Sequence, residues 1–526
     1  MMSLAKKCYM PFSDLLQGLM DMDQCPQVNV SGIAIDSRAI KAGDCFIALK
    51  GRVTDGAHHI QQSILDGAVA VLVDESTEVE ISQSSISVPV LRIKNLTELV
   101  SEIAGRFYGN PSHQLTIAAF TGTNGKTTCS QLHAQLMARV SIGGNSVKPA
   151  YIGTTGYGIA KSQPADQVDT AFKNKQDGHQ LTTPDAVSAQ RILAELLNNG
   201  SQYVALEASS HSLVQYRLQA VQIDTAVFTN VSRDHIDYHQ SLENYAAAKD
   251  SLFDMPSVKT AVINLDDVVG EQIITGLRAD ISLLSYSLEN QTADIYCSDI
   301  SFSASGSSAT IQTPWGSGEL NSPLLGQFNL SNLLAVIATA CSQGALLDDC
   351  LQVAPKLQAV SGRMELVSSA MQPQVVVDYA HTPDALEKAL QALKPYCLGK
   401  LWVVFGCGGN RDSGKREQMG KVAAQYADKV VITNDNPRFE APEKIAQHIL
   451  EGIDGEVEVE LDRRRAIATS IIQAKKQDIV LIAGKGHENY QIIGNNCIAF
   501  SDQEEALAAL ETAQLDRSSA VEGGAV

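Results

Sequence analysis

The sequence lacks the features that mark several large classes of protein. None of its ten cysteines stands in a Cys-x-x-Cys pair, so neither a disulfide framework nor a structural zinc site is indicated. No apolar run approaches the roughly 18 residues that a membrane helix needs. The apolar stretch near the N-terminus is broken by Pro11 and Asp14 before it is long enough for a signal peptide. We therefore expect a cytoplasmic protein without membrane insertion.

Positive charge is also scarce. The chain has 40 Lys and Arg residues against 59 Asp and Glu residues, a net charge of −19. This balance argues against a surface built to bind nucleic acid or anionic lipid, although a small basic pocket for phosphate remains compatible with it. Hydrophobic residues make up 44% of the 526 residues, which is typical of a globular protein, and a chain of this length predicts about three domains.

Apolar runs and amphipathic stretches alternate along the chain. Near the N-terminus they predict strands over 32–35, 45–49, 69–73 and 90–93, with helices near 57–66 and 97–108. The sequence YGNP at 108–111 breaks this pattern. The first domain is therefore expected to span 1–110.

Two further regions show the strand–helix alternation that is typical of parallel α/β sheets. In the first, strands are predicted over 115–120, 203–206, 225–228 and 260–263, with a short antiparallel excursion over 285–320. In the second, strands over 375–377, 401–405, 429–432 and 479–482 alternate with helices near 383–393, 415–426, 442–452 and 463–474. These regions predict domains over 111–345 and 346–526.

The sequence GTNGKTT at 122–128 has the form of a phosphate-binding loop, because it lies between an apolar strand and a helix. Its glycines allow the backbone to wrap an anion at the positive end of the helix. Lys126 can reach the β- and γ-phosphates, and the Thr127 hydroxyl can hold Mg²⁺. The standard pattern has a glycine where this chain has Phe120, so the loop is a variant.

Two segments beyond the loop carry candidate metal ligands. Glu207 follows a buried strand, where it could ligate Mg²⁺, although a solvated acid at the strand end is an equal interpretation of that residue alone. His235 and His239 are four residues apart and could bind zinc from one helical face. No further ligand at conventional spacing supports zinc, so a polar loop near Mg-ATP is favoured.

Polar motifs follow each of the four strands predicted in the last region. They are DYAH at 378–381, GCGG at 406–409, DNPR at 435–438 and GKGHE at 484–488. Open α/β sheets bind ligands just past the carboxyl ends of their strands. The four motifs therefore predict one ligand site at that edge of the sheet.

Taken together, these motifs resemble those of the Mur ligases, the ATP-dependent amide-forming enzymes of peptidoglycan precursor synthesis. The resemblance rests on GTNGKT, the segments around Glu207 and Asp234, GQFNLSN at 326–332, GRME at 362–365 and DYAH. It implies an α/β fold of three domains: a UDP-substrate-binding N-terminal domain, a central P-loop ATPase-like domain with a parallel or mixed sheet, and a Rossmann-like C-terminal domain that binds the amino acid. DNPR and GKGHE are similar to the members that add diaminopimelate.

The resemblance also implies a reaction. ATP would phosphorylate the D-Glu carboxylate of UDP-MurNAc-L-Ala-D-Glu, and the amine of meso-2,6-diaminopimelate would attack the acyl phosphate. Lys126 and two Mg²⁺ would offset the charge that develops on the phosphoryl group. Metal ligation is implied for Thr127, Glu207, His235 and Lys249, with Lys249 carbamylated. Without the resemblance, Lys249 would be interpreted as an exposed helical lysine.

Binding roles follow from the resemblance residue by residue. For ATP the matching positions are Gly122, Thr123, Asn124, Gly125, Lys126, Thr127, Thr128, Asn329, Asn332, Arg363 and Asp378. For the UDP-MurNAc-dipeptide they are Ser37, Arg52, Val53, Thr54, Thr182, Thr183, Ser210, Gln215 and Arg217. For diaminopimelate they are Arg411, Asp435, Asn436, Pro437, Arg438, Gly484 and Glu488. Helix capping is an alternative interpretation of Asn329 and Asn332.

Arg438 carries the physical argument for the amino acid. Diaminopimelate differs from lysine by one extra carboxylate, which a guanidinium can bind through two hydrogen bonds. Lysine would leave Arg438 without its partner and would bind less well. Glu488 can accept a hydrogen bond from the far ammonium group.

Other functions remain as alternatives. Arg438 argues against a lysine-adding ligase, and the match in the first domain argues against a folylpolyglutamate-type ligase. A nucleotide-binding regulator or scaffold that had lost catalysis should show broken ligand positions, whereas Lys126, Glu207, His235 and Lys249 are all present. We expect small-molecule substrates only, no nucleic acid partner, and a monomer.

Overall fold

The computed structural model describes residues 9–51, 54–77, 88–162, 181–303, 306–367, 373–455 and 457–522. Arg52 and Val53 of the expected UDP-substrate site lie outside these ranges. Sheets of 4, 10 and 6 strands follow one another along the chain, accompanied by three two-stranded sheets. No helix in the described ranges is long and apolar enough to cross a membrane.

The N-terminal region is built on a small parallel sheet with strand order β3-β4-β5-β6. Its elements are β1 (Met10–Pro11), α1 (Phe12–Leu16), β2 (Asn29–Val30), β3 (Gly32–Ala34), β4 (Asp44–Ala48), α2 (Ile60–Leu65), β5 (Ala70–Asp74), β6 (Val90–Ile93) and α3 (Leu96–Phe107). The four predicted strands and both predicted helices are confirmed. Helix α2 starts a few residues late because Gly56–His59 forms a 3-10 turn.

The central region contains a ten-stranded sheet with strand order β11-β10-β12-β7-β13-β14-β15-β16-β17-β18. Its elements are β7 (Thr116–Thr121), α4 (Lys126–Met137), β8 (Ser141–Ile142), β9 (Asn145–Ser146), β10 (Pro149–Gly153), β11 (Gly156–Ile159), α5 (Ala186–Asn198), β12 (Tyr203–Glu207), α6 (Ser210–Val214), β13 (Thr225–Phe228), α7 (Ile236–His239), α8 (Leu242–Asp250), β14 (Thr260–Asn264), α9 (Val268–Gly276), β15 (Ser282–Ser287), β16 (Ile295–Ser303), β17 (Gly306–Thr313), β18 (Gly316–Ser322), α10 (Gln327–Ser342) and α11 (Leu347–Val353).

The sheet is mixed, as expected. Seven strands run parallel to one another: β10, β12, β7, β13, β14, β15 and β16. The pairings of β11 with β10 at one edge, and of β17 with β16 and β18 at the other, are antiparallel. The predicted antiparallel excursion is confirmed, and it extends the main sheet.

Strand β7 has an apolar run because both faces of the sheet are covered. Ala118 and Phe120 join one core cluster with α4 and α10, and Ile117 and Ala119 join the cluster on the opposite face with α5. Successive side chains of a strand point to opposite faces, so every residue of β7 after Thr116 is buried. The strand therefore ends in the middle of the molecule, where the phosphate loop begins.

The C-terminal region contains a six-stranded sheet with strand order β19-β20-β24-β21-β22-β23, parallel except for β19. Its elements are β19 (Glu365–Leu366), β20 (Gln374–Asp378), α12 (Pro383–Leu393), β21 (Leu401–Phe405), α13 (Gly414–Tyr426), β22 (Lys429–Ile432), α14 (Pro442–Leu450), β23 (Glu458–Val459), α15 (Arg463–Gln473), β24 (Ile479–Ala483), β25 (Tyr490–Ile493), β26 (Asn496–Ala499) and α16 (Asp502–Glu522). The four predicted strands are adjacent, so the four polar motifs share one edge. The hairpin β25–β26 was not predicted.

A buried ion pair fixes the strand ends that carry two of these motifs. The guanidinium of Arg463 donates two hydrogen bonds of 2.8 Å to the Asp502 carboxylate, and both side chains are fully buried. The same guanidinium donates to the carbonyls of Asn434, 3.2 Å, and Ala483, 2.9 Å. The pair thus ties α15 and α16 to the ends of β22 and β24.

We expect Asp502→Ala to destabilise the C-terminal region by about 3–5 kcal/mol, because it leaves Arg463 buried without a counter-charge. The measurement is urea unfolding followed by the fluorescence of buried Trp402, with Trp315, the other tryptophan, replaced by Phe. Glu417→Ala, in an exposed pair with Lys421, is the control and should change stability by less than about 1 kcal/mol. An Asp502→Ala effect as small as the control's would contradict the prediction.

Candidate active site

Two glycines shape the loop between β7 and α4. Gly122 has φ +147° and Gly125 has φ +88°, conformations that favour glycine. A Cβ at Gly122 would overlap Thr229 Oγ1, and one at Gly125 would press against Asn332 Oδ1. Because Gly125 has no side chain to cap α4, the first N–H groups of the helix are left to face an anion in the loop.

Two lysines converge on one carbonyl of this loop. Lys126 Nζ donates to Gly122 O at 2.8 Å and Thr123 O at 3.0 Å, and Lys249 Nζ donates to the same Gly122 O at 2.7 Å. Burial lowers the pKa of Lys126, although the charge of Glu207 opposes this shift. The Lys126 ammonium group, beside the first N–H groups of α4, favours a polyanionic ligand such as the phosphates of ATP.

Glu207 lies beneath the loop at the end of β12 and is 1% exposed. Its carboxylate accepts hydrogen bonds from Thr127 Oγ1 at 3.0 Å and from the hydroxyl and N–H of Thr154, both at 2.9 Å. Burial raises the pKa of Glu207, and Lys126 opposes that shift. The structure thus unites Thr127 and Glu207, and their oxygen atoms are the kind of ligands that fit Mg²⁺.

His235 and Lys249 form a second group around the Tyr245 ring. Lys249 Nζ lies 4.1 Å from the ring centroid, and the His235 ring lies 6.1 Å from it. Partial burial lowers the pKa of His235 below its usual value, although 46% of its side chain is exposed. The lower pKa favours the neutral imidazole, the state that can bind a metal. Lys249 is 1% exposed, so its interpretation as an exposed helical lysine is wrong.

These two groups are not in direct contact. No hydrogen bond or ion pair joins His235 or Lys249 to Glu207 or Thr127 in the ranges that the structure describes, and no cluster of three or more His, Cys, Asp or Glu residues there could hold a metal. His239 is hydrogen-bonded to Ser210 Oγ at 3.0 Å. The structure therefore does not support a zinc site on His235 and His239.

The expected adenine and phosphate contacts reach the loop from α10 and from the C-terminal region. Asn329 and Asn332 lie inside α10, whose N-cap is Gly326, so the capping interpretation is wrong. Arg363 Nη2 donates to Thr127 Oγ1 at 3.2 Å, and its guanidinium stacks 4.3 Å from the Tyr379 ring.

Asp378 holds the segment that carries Arg363. Its carboxylate accepts the N–H groups of Met364, 2.7 Å, and Ala380, 2.8 Å. Burial raises the pKa of this carboxyl group, and the nearby Arg363 charge opposes the shift. Asp378 therefore links the end of β20 to the residue that reaches the phosphate loop.

Three further contacts join the central and C-terminal regions beside the loop. Asn124 donates to Asp384 at 3.0 Å, and His381 Nε2 lies 3.6 Å from Asp234 Oδ2. Arg233 Nε lies 3.7 Å from Asp412 Oδ2, next to Arg411. Sequence reasoning assigned roles to none of these partners except Asn124, because their meeting depends on how the regions pack.

The five residues expected near the sugar-peptide end of the substrate lie together. Thr182 Oγ1 is 3.3 Å from Thr154 Oγ1, which bonds Glu207. Thr183 Oγ1 donates to the Glu207 carbonyl at 2.6 Å and its own carbonyl accepts from Arg217 at 2.8 Å. Arg217 also donates to Gln215 Oε1 at 2.6 Å, while Ser210 bonds His239.

The expected uridine contacts are less complete. Ser37 follows β3 and Thr54 follows β4, so both lie past the carboxyl ends of neighbouring parallel strands. Thr54 is exposed and its carbonyl accepts from the Gly51 N–H at 2.9 Å. The structure brings these two residues to one edge of the N-terminal sheet.

The four motifs of the C-terminal sheet form a second pocket. Asn436 Nδ2 donates to Glu488 Oε2 at 2.9 Å, and Lys485, fully buried, donates to Asn436 Oδ1 at 3.1 Å and Glu488 Oε2 at 2.9 Å. A Cβ at Gly484 would lie 2.9 Å from Asp435 Oδ2. Lys485 was missed as a pocket residue, although it stands inside the GKGHE motif.

Arg438 projects into this pocket with few partners. Its Nη1 donates to the carbonyls of Gly409, 3.1 Å, and Asn436, 3.3 Å, and no carboxylate pairs with it in the described part of the chain. Burial lowers the pKa of Arg438, and the nearby Arg411 charge lowers it further. Two guanidinium groups in one pocket are suited to a carboxylate. Pro437, buried, sets the preceding backbone.

Comparison with known proteins agrees with this arrangement. The Mur ligase family catalytic domain matches residues 29–108, the Mur ligase middle domain matches 120–340, and the Mur ligase glutamate ligase domain matches 362–486. These matches cover most of the chain. It therefore belongs to the Mur ligase family, whose members are ATP-dependent amide-forming ligases.

Two relatives and one solved structure carry the same protein name. Proteins of Coxiella burnetii and Pseudomonas putida, both named UDP-N-acetylmuramoyl-L-alanyl-D-glutamate–2,6-diaminopimelate ligase, are 43% identical over 92% and 91% of this chain and 96% and 94% of their own lengths. A solved structure of a ligase with the same name is 36% identical, with a TM-score of 0.65 over 96% of this chain and 100% of that one.

We expect Gly153→Ala to weaken Mg²⁺-dependent ATP binding about 10–100-fold, because a Cβ there would overlap the Glu207 carboxylate. The measurement is a Mg²⁺ titration at fixed ATP. Gly276→Ala at the end of α9 is the control, since a Cβ at that position meets nothing within 4 Å. Equal Mg²⁺ dependence in the two variants would contradict a metal role for Glu207.

Proposed function

We propose that this chain adds meso-2,6-diaminopimelate to the D-Glu carboxylate of UDP-MurNAc-L-Ala-D-Glu, at the expense of ATP. The observation that carries the proposal is the Arg438 guanidinium, which forms no ion pair in the described ranges. The charges of Arg411 and Glu488 both act on it. Diaminopimelate offers the distal carboxylate and ammonium that Arg438 and Glu488 would bind. The curated relatives' names support the same substrates.

The reaction proceeds in two steps. A carboxylate oxygen of D-Glu takes the γ-phosphoryl group, ADP leaves, and the amine nitrogen then attacks the acyl carbon as phosphate departs and the amine loses a proton. Lys126 and the N–H groups of the loop from Gly122 to Thr128 hold the β- and γ-phosphates. Asn329 and Asn332 would contact the adenine, and Arg363 and Asp378 would lie near the phosphates and the ribose. The enzyme's contribution is chiefly positioning and charge neutralisation.

Two metal positions belong to the proposal. Thr127 and Glu207 would hold one Mg²⁺ through oxygen atoms, and His235 with a carbamylated Lys249 would hold the second. Bound magnesium supplies positive charge that stabilises the phosphoryl group in transfer. The oxygen-rich donor set around Glu207 fits this ion.

Carbamylation of Lys249 has a physical argument of its own. Four lysine and arginine side chains in the described ranges are at most 1% exposed: Lys249, Arg416, Arg463 and Lys485. The last three have ion-pair partners, whereas Lys249 has only a carbonyl and an aromatic ring in the described part of the chain. Burial lowers the pKa of Lys249 well below its usual value. A neutral amine can add CO₂ and lose a proton, which gives an anionic ligand.

The remaining expectations stay part of the proposal. Domain boundaries near 110 and 345, cytoplasmic location and a monomeric state fit this function. Ser37 and Thr54 would contact the UDP end of the substrate, while Thr182, Thr183, Ser210, Gln215 and Arg217 would contact its sugar-peptide end. A nucleic acid partner is not expected from the acidic balance.

Phosphate release tests the function directly. With Mg-ATP and UDP-MurNAc-L-Ala-D-Glu, we expect release with diaminopimelate and little with L-lysine. Arg438→Met should raise the KM for diaminopimelate about 100-fold, because a charge-assisted bidentate contact is lost. Arg464→Met, in an exposed pair with Glu505, is the control.

The outcomes separate the alternatives. Equal release with lysine would leave a ligase but remove Arg438 as the discriminating residue. No release with either amino acid, from folded protein that binds ATP, would favour the regulator or scaffold.

The carbamate has a separate test. We expect Lys249→Ala to reduce kcat at least about 100-fold. The substitution removes a ligand of the second Mg²⁺, which would stabilise the phosphoryl group during transfer. Added propionate should restore part of the activity, whereas an alkylamine should not. Lys259→Ala, an exposed lysine paired with Asp224, should retain full activity. Rescue by the amine in place of the acid would show that Lys249 acts as a cation.

A further inference from the structure

Arg438 presents its guanidinium from a backbone conformation that L-amino acids rarely adopt. Its φ is +54°, in the left-handed region where Cβ crowds the following carbonyl oxygen. A non-glycine residue keeps such a conformation only when the surrounding structure enforces it. The geometry of the proposed carboxylate clamp therefore depends on whatever holds this backbone.

The hairpin β25–β26 holds it from both sides. The Arg438 N–H donates to Ile492 O at 3.0 Å, and the Gly494 N–H donates to Arg438 O at 2.7 Å. Arg438 and Ile493 form a parallel bridge outside the main sheets. Both backbone polar groups of Arg438 are thus bonded to the hairpin.

The same strand of the hairpin also fixes the two preceding pocket residues. Gln491 Nε2 donates to Asp435 O at 2.7 Å, and the Ile492 N–H donates to Asn436 Oδ1 at 3.0 Å. Asn436 in turn orients Glu488. Strand β25 is therefore hydrogen-bonded to three of the four residues of the DNPR motif: to the backbones of Asp435 and Arg438 and to the side chain of Asn436.

The hairpin is otherwise a separate element. It forms a two-stranded sheet of its own, and every residue of β26 is exposed. Its two-residue loop starts at Gly494, whose φ is +58°. The first loop residue of a type II′ turn also has a positive φ, and glycine is favoured at that position. A Cβ built on Gly494 would meet nothing within 4 Å, so substitution there changes backbone preference without a steric clash.

We infer that the hairpin β25–β26 positions the amino-acid clamp, and that the left-handed turn at Gly494 determines selection of the amino acid through the Arg438 backbone. Gly494 acts through Arg438 and touches no substrate. The inference deepens the proposed function and rests on it. Strain at Gly494 would depopulate the turn that bonds Arg438 O, and the apparent affinity for diaminopimelate would fall with the competent fraction.

The test compares Gly494→Val with Gly494→Asn. Valine resists positive φ, whereas asparagine tolerates it better than other non-glycine residues. We expect Gly494→Val to raise the KM for diaminopimelate about tenfold and to reduce its preference over lysine, with the KM for ATP and for the UDP-substrate unchanged. Gly494→Asn should remain within about threefold of the parent chain.

Two more variants complete the set. Gln491→Met removes the donor to Asp435 O at nearly constant volume and should also raise the KM for diaminopimelate alone. Ile498→Thr alters the exposed cross-strand partner of Gln491 and should change nothing. A melting temperature for each variant checks folding.

The inference is overturned if Gly494→Val keeps the parent KM for diaminopimelate, or if it raises all three KM values alike and asparagine gives no recovery. Failure of the proposed function is seen separately, as absence of diaminopimelate-dependent turnover in the unsubstituted chain. That outcome would overturn both.

Discussion

Buried positive charge is the constraint on which the rest of this structure depends. A chain with a net charge of −19 nevertheless places cations where water is excluded, which is costly unless each one is paired. Arg416 pairs with Glu440, and Arg463 with Asp502. In both cases the arginine lies on a helix and also donates to backbone carbonyls at the strand ends of the C-terminal sheet.

The lysine and arginine side chains at the binding sites differ from these two, because protein carboxylates do not fully neutralise their charge. Lys126 donates to two backbone carbonyls, and Arg438 and Arg411 lie close enough for one charge to affect the other. Such positions are unfavourable in isolation and become favourable when phosphates or carboxylates enter. The acidic surface keeps this positive potential confined to the pockets, which suits small anionic substrates.

Much of the fold could be predicted because its strands are buried on both faces. The apolar runs that became β7, β13, β21 and β24 leave little ambiguity, and each is followed by a polar motif that the sheet order brings to one edge. The phosphate loop was recognisable for the same reason, since it joins such a strand to a helix. At these strands and at the phosphate loop, the local sequence pattern agrees with the way the whole chain packs.

Other features depend on contacts that a local pattern does not contain. Helix α8 (LENYAAAKD) has no apolar stripe at helical spacing, so nothing in it indicates that Lys249 is buried. The hairpin β25–β26 is short and exposed and lacks a strong apolar alternation. The left-handed backbone of Arg438 arises from that hairpin. Asn329 and Asn332 resembled caps because the sequence did not show that the N-cap of α10 is Gly326.

The distribution of thiols adds an experimental consequence. Of the nine cysteines in the described ranges, seven are buried, Cys397 is partly buried, and only Cys497 is exposed. Cys497 lies on β26, in the hairpin that bonds Arg438. Because accessible thiols react first with alkylating dyes, a fluorophore attached to Cys497 under native conditions would sit beside the amino-acid pocket. The native chain therefore carries its own attachment point for an optical reporter of amino-acid binding.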